Sequence, residues 1–217
     1  MTSRILLTGF EPFGGERLNP SQALAEALHG QRVGEAEITG LVLPCVFDDA
    51  LDVLNQALDA RRPTLVLALG QAGSRADLTV ERVAININDA RIPDNADHQP
   101  IDTPVVPGGP AAYFSTLPIK AIVADLRAAG LPASVSQTAG TFVCNHVFYG
   151  LMHALATRHP HARGGFMHVP LLPEQAARLA PPTASMALET MRQGVLVALQ
   201  TALHERVVRV VGGGALD

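Results

Sequence analysis

Cysteine is nearly absent from this sequence: Cys45 and Cys144 are the only two in 217 residues. They sit in unrelated contexts, "LVLPCVF" and "GTFVCNH", which do not form a disulfide framework, so a cytoplasmic protein with reduced thiols is expected. Charge is thin as well. Charged residues make up 17% of the chain and the net charge is −4, which leaves no basic footprint for nucleic acid. Long hydrophobic runs are missing; stretches such as "LVLAL" have strand length and cannot span a bilayer. The start, "MTSRILLTGF", breaks its short apolar run at Gly9 and shows neither the hydrophobic region nor the cleavage site of a signal peptide. His146, His153, His159 and His161 fall in no C-x-x-C or H-E-x-x-H pattern, so no metal is expected. The glycine-rich "GFEPFGG" matches neither the dinucleotide nor the P-loop fingerprint. There is no internal repeat and no low-complexity segment.

What the chain does contain is alternation. "RILLTGF" (4–10) reads as a buried strand, followed by the loop "EPFGGERLNP" and a helix with Asn19 as N-cap and Pro20 at its first position. Strands are expected at 36–45 and 64–70, with a helix at 48–60 carrying Leu51, Leu54 and Leu58 on one face. Residues 71–116 look irregular, with one strand at "RVAINI" and an extended or hairpin-like run through "IPDNADHQPIDTPVVPGGP". Helices at 117–129, 143–158 and 183–204 then alternate with strands near 132–136 and 164–170, and the tail "RVVRVVGGGALD" reads as a short final strand or a frayed end. The pattern predicts an α/β protein: one domain over 1–217, an α/β/α sandwich around a mostly parallel twisted sheet.

Three residues have the chemistry of a cysteine nucleophile with an oriented base. Cys144 falls at the first turn of the 143–158 helix, where the macrodipole and free N–H groups favour a thiolate. His168 closes the strand "GGFMHVP", at the end where parallel sheets carry their sites. Glu81, in "LTVERVAIN", can orient that imidazole. Taken singly, each also has a plain structural role: a buried small hydrophobe, a satisfied strand-end histidine, a solvated charge. Cys45, after Pro44, reads as a packed, unreactive thiol.

Taken together, "TGFEPFGGERLNPSQALAEAL", "LGQAGSRADLTVERVAININDARIPDN", "TAGTFVCNHVFYGLMH" and "GGFMHVPLLPEQ" resemble the pyroglutamyl peptidase I family, from about Arg4 to about Leu203 and in the family's order. The resemblance implies a cysteine peptidase acting on peptides with an N-terminal pyroglutamate, without metal or cofactor, through a thioester. It carries the nucleophile onto Cys144, the base onto His168 and the orienting acid onto Glu81. It implies a substrate pocket with Phe10, Phe13, Ile92, Phe142 and Val143 as apolar walls and Asn19 and Gln71 as polar positions, although Asn19 also serves as a helix cap. Arg91, with the backbone N–H of Cys144, is expected near the developing oxyanion. A homotetramer is implied, and no nucleic-acid or membrane partner is expected. One departure is visible: Ser74 stands in "QAGSR" where the family pattern has glycine. Three rival readings share these residues. A substrate panel separates a hydrolase of another cyclic amide, iodoacetamide labelling of Cys144 separates a non-catalytic peptide binder, and the missing phosphate motif weighs against a nucleoside-processing enzyme.

Overall fold

The computed structural model describes residues 4–181, 183–205, 209 and 212–214. Strand β1 (Arg4–Phe10) is buried from Ile5 onward because helices cover both faces of the sheet in which it is an inner strand. Its alternation splits the core. Ile5 and Leu7 point to one face; Leu6 and Phe10 point to the other. Strand β4 (Leu65–Gln71) repeats the split, with Leu65, Leu67 and Leu69 opposite Val66 and Ala68, and so does β9 (Arg163–Val169), with Met167 and Val169 opposite Phe166. Helices α1 (Pro20–Leu28), α3 (Ile119–Ala128) and α6 (Leu188–His204) pack on the first face. Helices α2 (Phe47–Arg61) and α4 (Val143–Thr157) pack on the second. Each fully buried leucine in these layers contributes about 1.5–3 kcal/mol of apolar burial.

The main sheet has seven strands in the order β2-β3-β1-β4-β9-β5-β8, with β2 (Arg32–Val33), β3 (Ala36–Leu43), β5 (Leu78–Glu81) and β8 (Ala133–Ser136) completing it. Strands β3, β1, β4 and β9 are parallel, while β5 runs antiparallel to β9 and parallel to β8. The expected mostly parallel α/β/α architecture is therefore present, with a reversed edge. That edge was not anticipated: the polar stretch 71–116 hides β5, and β6 (Val83–Ile85) pairs with β7 (Ala112–Phe114) in a separate two-stranded ribbon. A one-turn helix, α5 (Pro173–Ala176), was also missed, and α6 starts at Leu188 rather than 183, after a stretch containing Pro181. Most of the expected tail strand at 206–217 lies outside the described residues.

Helix α1 sits directly on β1. A Cβ at Gly9 would lie 2.0 Å from the Ser21 carbonyl oxygen, so only glycine permits that approach. Asn19 caps the helix as expected, its Oδ1 accepting from Ser21 N at 3.0 Å and from Ser21 Oγ at 2.8 Å. Ser74 is exposed and is not among the described residues with left-handed backbone, so its turn tolerates a side chain. No helix among the described residues is long and apolar enough to cross a membrane.

Candidate active site

Parallel strands deliver their following loops to one edge, the edge where such sheets carry their sites. Here the loops after β1, β3, β4 and β9 meet there, joined by the segments 86–98 and 137–142. Polar contacts, buried at Asp94 and more exposed toward the rim, stitch them together. Glu11 Oε1 accepts from Cys45 N at 3.0 Å and from Asn95 Nδ2 at 2.9 Å. Asp94 Oδ2 accepts from Phe47 N at 3.0 Å, and Thr141 Oγ1 donates to the Asp89 carbonyl at 2.7 Å. A rim tied in this way is held in shape before any ligand arrives.

Cys144 is the second residue of α4 and is half-buried. Unlike α1, this helix has no side-chain cap, so its first N–H groups are left without a side-chain partner. Asn145 fixes the helix start: its Oδ1 accepts from Ile85 N at 3.0 Å and its Nδ2 donates to the carbonyls of Ile85 and Ile87 at 2.9 and 3.0 Å. The thiol rests on β4 at Gly70, where a Cβ would come within 2.7 Å of Cys144 Sγ. Gly70 is the register partner of His168 on the neighbouring strand, which puts the sulfur over the sheet beside the imidazole.

His168 lies on the α4 face, against the Phe166 ring at 4.8 Å. Thr79 of β5 pairs with it, and because β5 runs antiparallel, Glu81 lies two residues further toward the β9 N-terminus, beneath the imidazole rather than out at the rim. Glu81 is 0% exposed, and its Oε1 receives a hydrogen bond from His168 Nδ1 at 2.8 Å. A carboxylate only accepts, so the His168 proton sits on Nδ1 and the Nε2 lone pair is free to take another.

Burial pushes the Cys144 thiol up, Cys45 and Glu81 add to that, and Arg75 opposes it. Burial also pushes the His168 imidazole down, against the hydrogen bond and charge of Glu81, with Arg75 adding to the fall. Desolvation therefore works against the expected thiolate and against a charged imidazole partner, opposite in sense to the helix terminus. Cys45 is 3% exposed, and burial, then Glu11 and Asp94, raise its thiol to about 12.

Of the expected pocket residues, Phe13, Ile92 and Phe142 come together. Phe13 and Phe142 have ring centroids 6.1 Å apart, and Ile92 Cδ1 lies 4.0 Å from where a Gly14 Cβ would stand. Arg91, Ile92, Thr141, Phe142 and Asp89 line a cavity of about 330 Å³. Arg91 is exposed and makes no hydrogen bond or ion pair among the described residues. Phe10 and Val143 are buried in the core beneath, and Asn19 spends its side chain on the cap and on the Glu11 carbonyl at 3.0 Å. Gln71 is held at the rim, its Oε1 accepting from Gln175 Nε2 at 3.0 Å. Phe47, edge-on to Phe142 at 5.4 Å, and Arg75, bonded to Glu81, were not singled out from the sequence. The signal for Arg75 was a lone cation in a small-residue loop six positions before a strand acid. Among the described residues no group of three His, Cys, Asp or Glu is placed to hold a metal.

A family model described as pyroglutamyl peptidase matches residues 3–205. The pyrrolidone-carboxylate peptidase of Cupriavidus taiwanensis is 63% identical over 212 residues, covering 96% of this chain and 97% of that protein. That of Escherichia fergusonii is 56% identical over 211 residues, 97% and 98% of the two chains. The crystal structure of pyroglutamyl peptidase I from Bacillus amyloliquefaciens superposes with a TM-score of 0.95 at 46% identity, covering 98% of this chain and all of that one. With a match this long, and at this identity, the chain belongs to the pyroglutamyl peptidase family.

Proposed function

We propose that Cys144, His168 and Glu81 carry out, in this chain, the reaction of the pyroglutamyl peptidases, cysteine peptidases that remove an N-terminal pyroglutamyl residue from peptides. The observation that carries the assignment is the buried 2.8 Å contact between His168 and Glu81 on the sheet face where Cys144 Sγ packs at Gly70.

The chemistry follows from the protonation states. His168 Nε2 takes the thiol proton as Sγ attacks the pyroglutamyl carbonyl carbon, and Glu81 stabilises the imidazolium through Nδ1–H. The carbonyl oxygen becomes an oxyanion beside the Cys144 N–H, with Arg91 as the nearby cation. His168 returns its proton to the departing peptide amine, the C–N bond breaks, and a thioester remains. Water then gives a proton to His168 and adds to the thioester, releasing pyroglutamate and restoring the thiol. Phe13, Ile92 and Phe142 suit a small, flat, uncharged lactam, with Gln71 Nε2 as a donor at the rim. Phe10, Val143 and Asn19 support that pocket from below. The catalytic unit is a single domain without a cofactor, in a cytoplasmic homo-oligomer of the tetrameric kind implied by the resemblance; Phe114, 69% exposed, suits a subunit contact.

Release of a fluorescent amine from its pyroglutamyl amide, beside the prolyl amide, tests this reading. The pyroglutamyl compound should be cleaved strongly, the prolyl one hardly, and Cys144→Ser should lose turnover by several orders of magnitude while Cys45→Ser keeps it. Equal cleavage of both amides, or an active Cys144→Ser, contradicts the assignment.

A further inference from the structure

Glu81 is a fully buried carboxylate whose charge needs more than a neutral histidine beside it. Arg75 supplies the cation. Its Nη1 donates to Glu81 Oε1 at 2.7 Å, the same oxygen that receives His168 Nδ1, and also contacts Thr79 Oγ1. Glu81 Oε2 has no partner among the described residues, so both bonds draw on one oxygen. The other arm of the guanidinium, Nη2, donates to the Thr138 carbonyl at 2.8 Å. Thr138 opens the loop that delivers Cys144 to the head of α4, and Ser136 Oγ bonds the same carbonyl at 3.0 Å. Arg75 is itself held, its N–H donating to the Ala72 carbonyl at 3.1 Å in the turn leaving β4. One planar fork thus spans the acid, the strand that carries it and the nucleophile's loop.

We infer that Arg75 is a positioning residue for this site: it pins the Glu81 carboxylate under His168 Nδ1 and locks that carboxylate to the loop preceding Cys144. The inference rests on the Cys144–His168–Glu81 reading. Arg75 does not touch substrate; it acts through Glu81. Lysine can match its charge but cannot reach Glu81 Oε1 and the Thr138 carbonyl with one planar group.

The test is a double-mutant cycle on the pyroglutamyl amide, with Arg75→Met and Arg75→Lys each made in the wild type and in Glu81→Gln. Arg75→Met should lower kcat about 10- to 100-fold with KM changed less than about 3-fold, and Arg75→Lys should recover only part of the loss. In the Glu81→Gln background, Arg75→Met should cost less than about 3-fold, because the carboxylate it holds is already gone. The low-field proton resonance of His168 Nδ1–H reads the same contact without turnover, and it should weaken or move upfield in Arg75→Met. Arg75→Met within about 2-fold of wild type, or an equal loss in both backgrounds with the resonance unmoved, overturns the inference. A Glu81→Gln variant as active as wild type fails the triad reading instead, so the two failures are distinct.

Discussion

At the scale of single residues, the site is governed by desolvation. Cys144 stands where a helix terminus favours a thiolate, yet burial raises its thiol and lowers the His168 imidazole. The expectation of a thiolate came from position along a helix, which a sequence shows; the burial over Gly70 that opposes it is not legible there. Activity requires the neutral base, and a lowered His168 stays neutral below the ordinary histidine range. The acid limb of kcat/KM should therefore fall below that range, as pH drops through the lowered value, and a limb above it would show a stabilised imidazolium at rest. Gly70 gives a sharper handle. A methyl there meets Cys144 Sγ at 2.7 Å and the Phe166 ring at 2.8 Å. Gly70→Ala should cost about 1–3 kcal/mol of stability by overpacking and lower kcat well beyond what that loss explains. Wild-type turnover in this variant would mean that the sulfur does not rest on β4.

At the scale of elements, the direction of one strand places the acid. The apolar runs of β1, β4 and β9 and the capped start of α1 were legible because their buried residues repeat at regular spacing and Asn19-Pro20 is a local helix signal. Strand β5 was not, since only Leu78 and Val80 face the core while Thr79 and Glu81 serve the site, so four residues read as loop. Nor can a sequence show that β5 runs against β9, although that reversal is what tucks Glu81 under His168. The three candidate residues Cys144, His168 and Glu81 were singled out through the motifs around them; Arg75 and Phe47 were not, because Arg75 reads as one more loop cation and Phe47's ring partners Phe142 and His146 are about a hundred residues away in the chain. If Glu81 only orients and supports the imidazole, Glu81→Gln should reduce kcat less than His168→Ala, which removes the proton carrier and should nearly abolish turnover. Steady-state kinetics of both variants check the order, and the reverse order would make Glu81 the proton acceptor.

At the scale of the molecule, two layers of helices hold the sheet and carry the rim loops, and the same burial that shapes the site makes the fold sensitive to acid. His146, 1% exposed behind the nucleophile, bonds Asn88 Oδ1 through Nδ1 at 2.9 Å, and burial lowers it to about 4. Its unfolded value is near 6.5, so between there and about 4 the unfolded chain binds the extra proton. Stability from this group is complete above the unfolded value and is lost as pH falls toward the folded one. Melting temperature should drop over that window, and His146→Gln should flatten the drop; identical slopes would assign acid sensitivity elsewhere. The central claim is that Cys144 accepts the pyroglutamyl group, and acid-quenched mass spectrometry of the enzyme during turnover tests it most directly. A pyroglutamyl adduct should appear on the peptide containing Cys144, lost in Cys144→Ser and absent with the prolyl amide. Steady turnover with an adduct on Cys45 and none on Cys144 would contradict it.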